Sequence, residues 1–214
     1  MKNLIIFGTG DFAVESYFWL QDMVERDDNL IFKGFVSTNN DLGENSPLKK
    51  YYLGNEYSYV AEDNDYFVVA IAGNLGLKEK IVSLLNEKNI KYFNLIHPTS
   101  IIKTDNIGVG NIFAPYTVIS YAVNIMDHNS FNCYTSIGHH ASIGSFNAIN
   151  SHCDITGHCK ISNSNFFGSS AVMLPSSVIG SYNKIAAASV IYKRFRDNLL
   201  IGGNPAIKIG KIDE

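Results

Sequence analysis

Four of the six histidines in this 214-residue chain fall between positions 139 and 158, and two of them, His139 and His140, are adjacent. Free imidazole titrates near neutral pH, so a histidine can take a proton from an amine or a hydroxyl. Eighteen residues after His139 stands Gly157, and eighteen after His140 stands His158. A glycine lets a reacting carbonyl come close to the backbone, and its N–H can support a developing oxyanion by about 3 kcal/mol when correctly aimed. Whether imidazole and amide meet depends on what an interval of eighteen means for the chain.

The answer lies in a period of six. Isoleucine, leucine, phenylalanine or methionine recurs at every sixth residue from Leu95 through Ile101, Ile107, Phe113, Ile119 and onward to Ile191, seventeen places without a gap in a chain that is 46% hydrophobic. Neither an amphipathic helix at 3.6 nor a half-buried strand at 2 has this period, so each unit must be a short strand plus a corner. Three units close one triangular coil of eighteen residues, and the 90 residues from Ile101 to Ile191 make five coils. Stacked at the strand spacing of about 4.8 Å, they form a prism about 25 Å tall, held by contacts between neighbouring coils. In that register His139 lies beneath Gly157 and His140 beneath His158. Small residues four places after the apolar one, from Asn111 to Ser189, and Gly108, Gly138, Gly144, Gly168 and Gly180 directly after it, are expected to take up unusual corner angles. On position alone, His139 and His140 read better as exposed corner residues, because turns collect polar side chains.

The front half has a different period. Strands are expected at Asn3–Phe7, Phe32–Val36 and Tyr66–Ala72, helices at Asp11–Met23 and Leu77–Leu85, and one short strand at Lys91–Ile96 feeding the prism. Alternating β and α elements predict a small parallel β-α-β (Rossmann-like) domain over 1–96, with the boundary at His97 and Pro98 and the β-helix over 97–214. Gly8-Thr9-Gly10-Asp11-Phe12 joins the first strand to its helix, where backbone amides and the helix dipole can hold a phosphate. A nucleotide or nucleotide-sugar pocket is expected there, with a simple tight turn as the alternative. The second strand ends in Ser37 and Thr38 instead of an acid for a ribose hydroxyl, which argues against NAD.

A net charge of −3 gives no electrostatic case for nucleic acid or an anionic membrane as partner. Neither a signal peptide nor a spanning segment is expected, and three cysteines without close pairing predict a reducing cytoplasm. Cys153 and Cys159 read as packing residues; Cys133 is undecided.

Gly138-His139-His140-Ala141-Ser142-Ile143-Gly144, the front β-α-β region, Ala70–Asn74 and the closing Gly203-Asn204-Pro205-Ala206 together resemble the bacterial hexapeptide-repeat sugar acetyltransferases. These comprise the nucleotide-linked amino-sugar N-acetyltransferases and the sialic acid O-acetyltransferase-like family. The resemblance implies that the prism is a left-handed parallel β-helix, that the chain is a homotrimer, and that acetyl-CoA lies along the prism between subunits. It implies His139 as general base and Gly157 as the glycine facing the thioester, with no metal. It also implies Ala186 and Ala187 beside the pantetheine arm, Asn204-Pro205 as a closing turn, and Gly8, Gly10, Asp11, Phe12, Ser37, Asn74 and Asn132 at the sugar substrate. Lys193, Arg194 and Lys208 would meet CoA phosphates, or form a solvated basic face.

Two positions depart from the family pattern. An acid normally follows the catalytic histidine, and here His140 stands in its place; an imidazole cannot supply a carboxylate's charge. Three options follow: another group such as Asp154 substitutes, His139 works with less assistance, or activity is lost. Phe12 occupies a position where the N-acetyltransferases often carry histidine, which keeps O-acetylation beside N-acetylation. Two further readings compete. One is a zinc hydrolyase resembling γ-class carbonic anhydrase, with His128, His152 and His158 as ligands; the other is a silent scaffold that only binds a nucleotide sugar.

Overall fold

A computed structural model describes residues 1–212, so the last two residues of the expected 97–214 unit lie outside the described residues. The front of the chain is a five-stranded, all-parallel sheet in the order β3-β2-β1-β4-β5, comprising β1 (Lys2–Phe7), β2 (Leu30–Val36), β3 (Tyr52–Gly54), β4 (Asp65–Val69) and β5 (Lys91–Tyr92). Alternation along β1 sends Leu4 and Ile6 to one side, under α1 (Asp11–Val24), and Ile5 and Phe7 to the other, under α2 (Leu75–Glu87). Helix α1 buries Ala13, Ser16, Trp19 and Leu20, and its core continues into Leu95, Ile112 and Ala114 of the prism. It is therefore clasped between sheet and prism. His97 pins this arrangement: its Nε2 lies 2.8 Å from Asp22 on α1 and its Nδ1 2.8 Å from Thr99.

Three expectations about the front half change. The strand at Tyr66–Ala72 ends at Val69, and Lys91–Ile96 splits in two, with Lys91–Tyr92 on the sheet and Leu95–Ile96 on the prism. A short 3-10 helix (Pro47–Tyr51) and β3 occupy a stretch that the sequence pattern left without structure. No described helix is long and apolar enough to cross a membrane.

Behind the sheet, two-residue strands recur on three faces of a parallel β-helix. The inward residues are Phe113, Phe131, Ile149, Phe167, Ile185 and Ile201 on the first face. On the second they are Ile119, Ile137, Ile155, Met173 and Ile191, and on the third Ile125, Ile143, Ile161, Ile179 and Phe195. Phe113 and Phe131 stack with ring centroids 5.0 Å apart and planes within 8°. Each inward residue from Phe113 to Met173 sits eighteen from its partner above, as the period requires.

At both ends the register departs from that period. The first coil has one residue fewer, so Ile96 pairs with Phe113 and Ile102 with Ile119. Leu95 turns instead into the α1 core, and Ile101 points outward, 51% exposed. At the top, Ile179 pairs with Phe195 and Ile185 with Ile201, sixteen apart, before the chain closes with an antiparallel strand at Ile207–Lys211.

The corners also differ from the sequence expectation. Left-handed backbone falls on the third residue after the inward one, at Tyr116, Ala122, His128, Tyr134, His140, Phe146, His152 and His158 among others, with φ near 60°. The small residue at the fourth place is buried and points inward. The following glycines serve close approach: a Cβ on Gly138 would stand 2.7 Å from the backbone N of Gly157, and one on Gly168 2.5 Å from that of Ala187.

Along one corner the buried fourth residues are Asn111, Asn129, Asn147, Asn165 and Asn183, which form an amide ladder. Asn147 donates to Asn129 at 3.0 Å and to the Ser162 carbonyl at 2.9 Å, and accepts from the backbone and side chain of Asn165. Truncating a buried group of this kind orphans its partners at about 1–3 kcal/mol. Asn147→Ala is expected to lower unfolding stability by about 3 kcal/mol, whereas Asn124→Ala, on an exposed position, should stay within about 0.5 kcal/mol. Urea unfolding of both variants tests this; equal effects would contradict the ladder's energetic role.

Candidate active site

The corner between the second and third faces carries Tyr121, His139 and Gly157 in successive coils, with His140 and His158 one residue on. His140 and His158 occupy the left-handed corner position, which fixes them one coil apart in the same orientation. Their rings stack with centroids 4.9 Å apart and planes within 10°. Beneath Gly157 lies the His139 ring: a Cβ built on that glycine would stand 2.7 Å from Cε1 and 2.8 Å from Nε2. Only glycine leaves room for the imidazole there. The His139 carbonyl accepts from the N–H of His158 at 2.9 Å, locking the two coils together. The N–H of Gly157 makes no hydrogen bond with any described residue.

His139 Nδ1 stands 3.1 Å from His140 Nδ1, so one ring donates to the other and the tautomers are coupled. When Nδ1 of His139 carries the shared proton, its Nε2 is left with a lone pair at the open side, the form a general base needs. Tyr121 stacks below His139 at 5.8 Å and 22°. Asp154 is turned to Ser136, whose hydroxyl donates to it. Tyr121 was missed in the sequence, although it stands eighteen before His139 and the same stacking rule finds it.

Other candidate residues lie elsewhere. Asn132, Ala186 and Ala187 occupy the corner between the first and second faces. There Asn132 accepts from the N–H of Cys133 at 2.6 Å, and Cys133 packs towards α1, its thiol pushed up by burial and by nearby Glu15. Ala186 lies next to Gly202, whose added Cβ would meet that of Ala186 at 3.3 Å. In its upper coils, with Gly168 below and Asn204-Pro205 above, this corner carries small residues, whereas Tyr116, Tyr134 and His152 stack along its lower coils. Lys193, Arg194 and Lys208 are all exposed, and Lys193 lies over the Tyr192 and Phe195 rings. Within one chain, this corner and the His139 corner are separate edges of the prism.

At the carboxyl ends of the front sheet's strands, Gly8, Gly10, Asp11, Phe12 and Ser37 line a cleft of ≈ 290 Å³. Gly8 has φ +121°, and a Cβ there would meet the Ala70 carbonyl at 3.0 Å, so glycine is required. Gly10 faces open space, which leaves the N-terminus of α1 accessible. Thr9 donates to the Asn39 carbonyl at 2.7 Å and shapes the far wall. Phe12 packs edge-on against Trp19 at 5.9 Å. Asn74 caps α2, accepting from Leu77 N–H at 3.0 Å, and lines a second cleft of ≈ 560 Å³ between α2 and the prism. Gly73 borders both clefts. An acid that sequence inspection did not place, Glu56, accepts from Thr38 at 2.5 Å and is buried behind the end of β2.

His128, His152 and His158 fall on three different corners, so no single ion reaches all three within one chain. Cys153 and Cys159 are buried and, like Cys133, carry free thiols.

No protein-family model matches this chain, and no curated protein does either. Solved structures do match. WeeI from Acinetobacter baumannii AYE aligns over 98% of this chain and 100% of its own at TM-score 0.83 and 20% identity. PerB from Caulobacter crescentus, in complex with CoA and GDP-perosamine, covers 98% of each chain at TM-score 0.85 and 20% identity. The acetyltransferase domain of PglB from Neisseria gonorrhoeae FA1090, in complex with acetyl coenzyme A, covers 97% of this chain and 99% of its own at TM-score 0.84 and 18% identity. The shared architecture runs the full described length, and the chain has the fold of these proteins: a parallel β-α-β sheet followed by a left-handed parallel β-helix.

Proposed function

We propose that this chain is an acyl-CoA-dependent sugar acyltransferase that acetylates the amine of a nucleotide-linked amino sugar. The observation that carries the reading is the His139 imidazole lodged under Gly157, whose N–H has no partner among the described residues. Similarity to proteins crystallised with CoA, acetyl-CoA and GDP-perosamine supports the choice of donor and acceptor. In this reading residues 1–96 hold the sugar nucleotide and 97–214 carry out acyl transfer.

The donor supplies an activated acetyl thioester, whose C–S bond breaks as the new C–N bond forms, and CoA leaves as the thiol with the proton that His139 took from the amine; the chain supplies position and proton transfer. His139 Nε2 takes the proton from the attacking amine, with His140 holding the His139 tautomer through the 3.1 Å contact. Gly157 N–H supports the negative charge that develops on the carbonyl oxygen, which is worth about 3 kcal/mol for one well-aimed donor. The bare corner at Gly168, Ala186, Ala187 and Gly202 suits a narrow pantetheine arm, and Lys193, Arg194 and Lys208 suit CoA phosphates. Asn204-Pro205 closes that groove. Gly8, Gly10, Asp11, Phe12 and Ser37 form the nucleotide-sugar cleft, and Asn74, in the adjoining cleft, and Asn132, on the prism corner, are the polar groups that would meet the sugar.

The bare corner and the His139 corner are different edges of one prism, so a complete site uses a neighbouring chain, and a closed homotrimer supplies three such junctions. Free thiols at all three cysteines fit a reducing cytoplasm.

The full chain with acetyl-CoA and a panel of UDP-, GDP- and dTDP-linked amino sugars is the test, read by thiol release and product mass. Turnover with an amino sugar to a product stable to hydroxylamine is the expected result. A hydroxylamine-labile product would show an ester, the O-acetylation alternative that Phe12 keeps in view. Sugar-nucleotide binding without thiol release would leave only a scaffold.

His140→Asp tests the departure from the family pattern. An Asp oxygen and a His Nδ1 stand two bonds from Cβ, and Asp tolerates the left-handed backbone at this corner. A carboxylate at the same reach would stabilise the imidazolium formed on His139, so kcat is expected to rise about tenfold with KM little changed. An unchanged or lower kcat would mean that the second imidazole already meets the need, or that His140 is not the partner.

A further inference from the structure

We propose that His139, His140 and His158 form a binding site for one Zn2+ ion at the corner between the second and third faces. One ligand nitrogen from each of the three lies within 4.8 Å of the others, and the Nδ1 atoms of His139 and His140 are 3.1 Å apart. Zinc at 2.0–2.1 Å from each nitrogen needs them roughly 3.3 Å apart, so side-chain rotation alone completes the set. Two of the three ligands are pre-positioned: His140 and His158 are held at φ 59° and 62° in consecutive coils, with rings parallel. The His139 ring stands nearly perpendicular to both, at 87°, while the His140 and His158 rings lie parallel, so one of those two rotates about its side-chain bonds to bring the third lone pair onto the ion.

The donor set decides the metal. Three neutral imidazoles suit zinc and its late transition-metal neighbours and give no advantage to Mg2+ or Ca2+, which require oxygen ligands. All three histidines are exposed, so the fourth position is open to water. His140 supplies the third imidazole of this set. Zinc on His139 Nδ1 leaves the ring's one proton on Nε2, which removes the lone pair that acyl transfer requires and therefore inhibits the reaction reversibly. This inhibitory consequence rests on the role proposed for His139, whereas the binding does not.

Titration of the tag-free full chain, stripped with chelator and desalted, with ZnCl2 in a calorimeter tests the site, and Co2+ uptake followed by its visible absorption reports ligand geometry. One Zn2+ per chain is expected, with Mg2+ giving no signal. Losing a ligand weakens binding at least as much as losing a supporting contact, so His139→Ala, His140→Asn and His158→Asn should each reduce affinity about tenfold or more. Asn is compatible with the left-handed corners and keeps the coil folded. His152→Asn, at the same coil position on another corner, should bind as wild type does. Absent zinc binding, binding indifferent to the three substitutions, or equal loss in His152→Asn would overturn the proposal. Zinc binding with unimpaired turnover would remove His139 from the proton-transfer step and leave the metal site standing.

Discussion

His139→Ala is expected to lower kcat for acyl transfer by about a thousandfold while leaving KM for the acyl donor little changed. General-base catalysis by a positioned side chain contributes about 10²–10⁴-fold, and in this geometry no second group is poised to replace it. The His140 ring is stacked on His158 from the next corner position, one residue away from the place beneath Gly157, and Asp154 is held by Ser136. The donor groove proposed at Ala186, Ala187 and Gly202 lies on another edge of the prism, so loss of the imidazole should not disturb it. Residual turnover would come from Gly157 N–H and from positioning alone. Steady-state kinetics with the sugar found active on the wild type measures the effect. A variant retaining more than about a tenth of wild-type kcat would exclude His139 as the base, and a matched rise in KM would assign it to binding.

The prism was legible because one physical constraint repeats in it. Every inward position from Ile107 to Ile191 must be large and apolar, and each stands six residues from the next. The same constraint fails where the neighbour is not another coil. Leu95 and Ile101 fit the period by residue type, yet the first coil lacks one residue and meets α1, so Leu95 serves a different core and Ile101 faces outward. Composition cannot reveal such a slip, since isoleucine stands at both Ile101 and Ile102. The buried fourth residue looks like a corner residue in the sequence because small size suits an inward position as well as a turn. Tyr116, Tyr134 and Phe146 show the actual left-handed positions taken by bulky residues, whose backbone is held by coils above and below.

The stacking of His139 under Gly157 followed from the interval of eighteen alone, which survives intact through this part of the prism. The geometry of His139 against His140 did not, because neighbours in sequence carry no register information about ring orientation. Nor did Glu56 behind Thr38, which arrives through a segment without periodicity. Lys78 could have been found: it occupies the i position of an i, i+3, i+4, i+7 set with Ile81, Val82 and Leu85, a core position for a residue that belongs in water.

That lysine sets the second large effect, since Lys78→Met is expected to stabilise the chain by about 3 kcal/mol at pH 7.5. Lys78 is fully buried, and its Nζ has no hydrogen-bond partner among the described residues. Burial pushes its pKa down to about 7, against an ordinary lysine value near 10.5. The native state therefore sheds a proton that the unfolded chain keeps, and between pH 7 and about 10 unfolding takes up protons. Stability accordingly rises with pH across this window, and the gain is lost as pH falls back towards 7. His128, on the prism, adds the same sign lower down: burial first, then the charge of Lys78, pushes it down to about 4. Its contribution, present above about pH 6.5, disappears as pH falls towards 4. Methionine has a similar length and no charge to desolvate, so it fills the lysine's place without the protonation penalty. Urea unfolding from pH 7 to about 8.5 should show rising stability in the wild type and no rise in Lys78→Met, the window ending where the thiols of Cys133, Cys153 and Cys159, all pushed up by burial, begin to lower stability in both, while the slope below pH 6.5 persists because His128 remains. A slope retained above pH 7 in the variant, or a loss of stability at pH 7.5, would mean that Lys78 is charged and partnered in the folded chain.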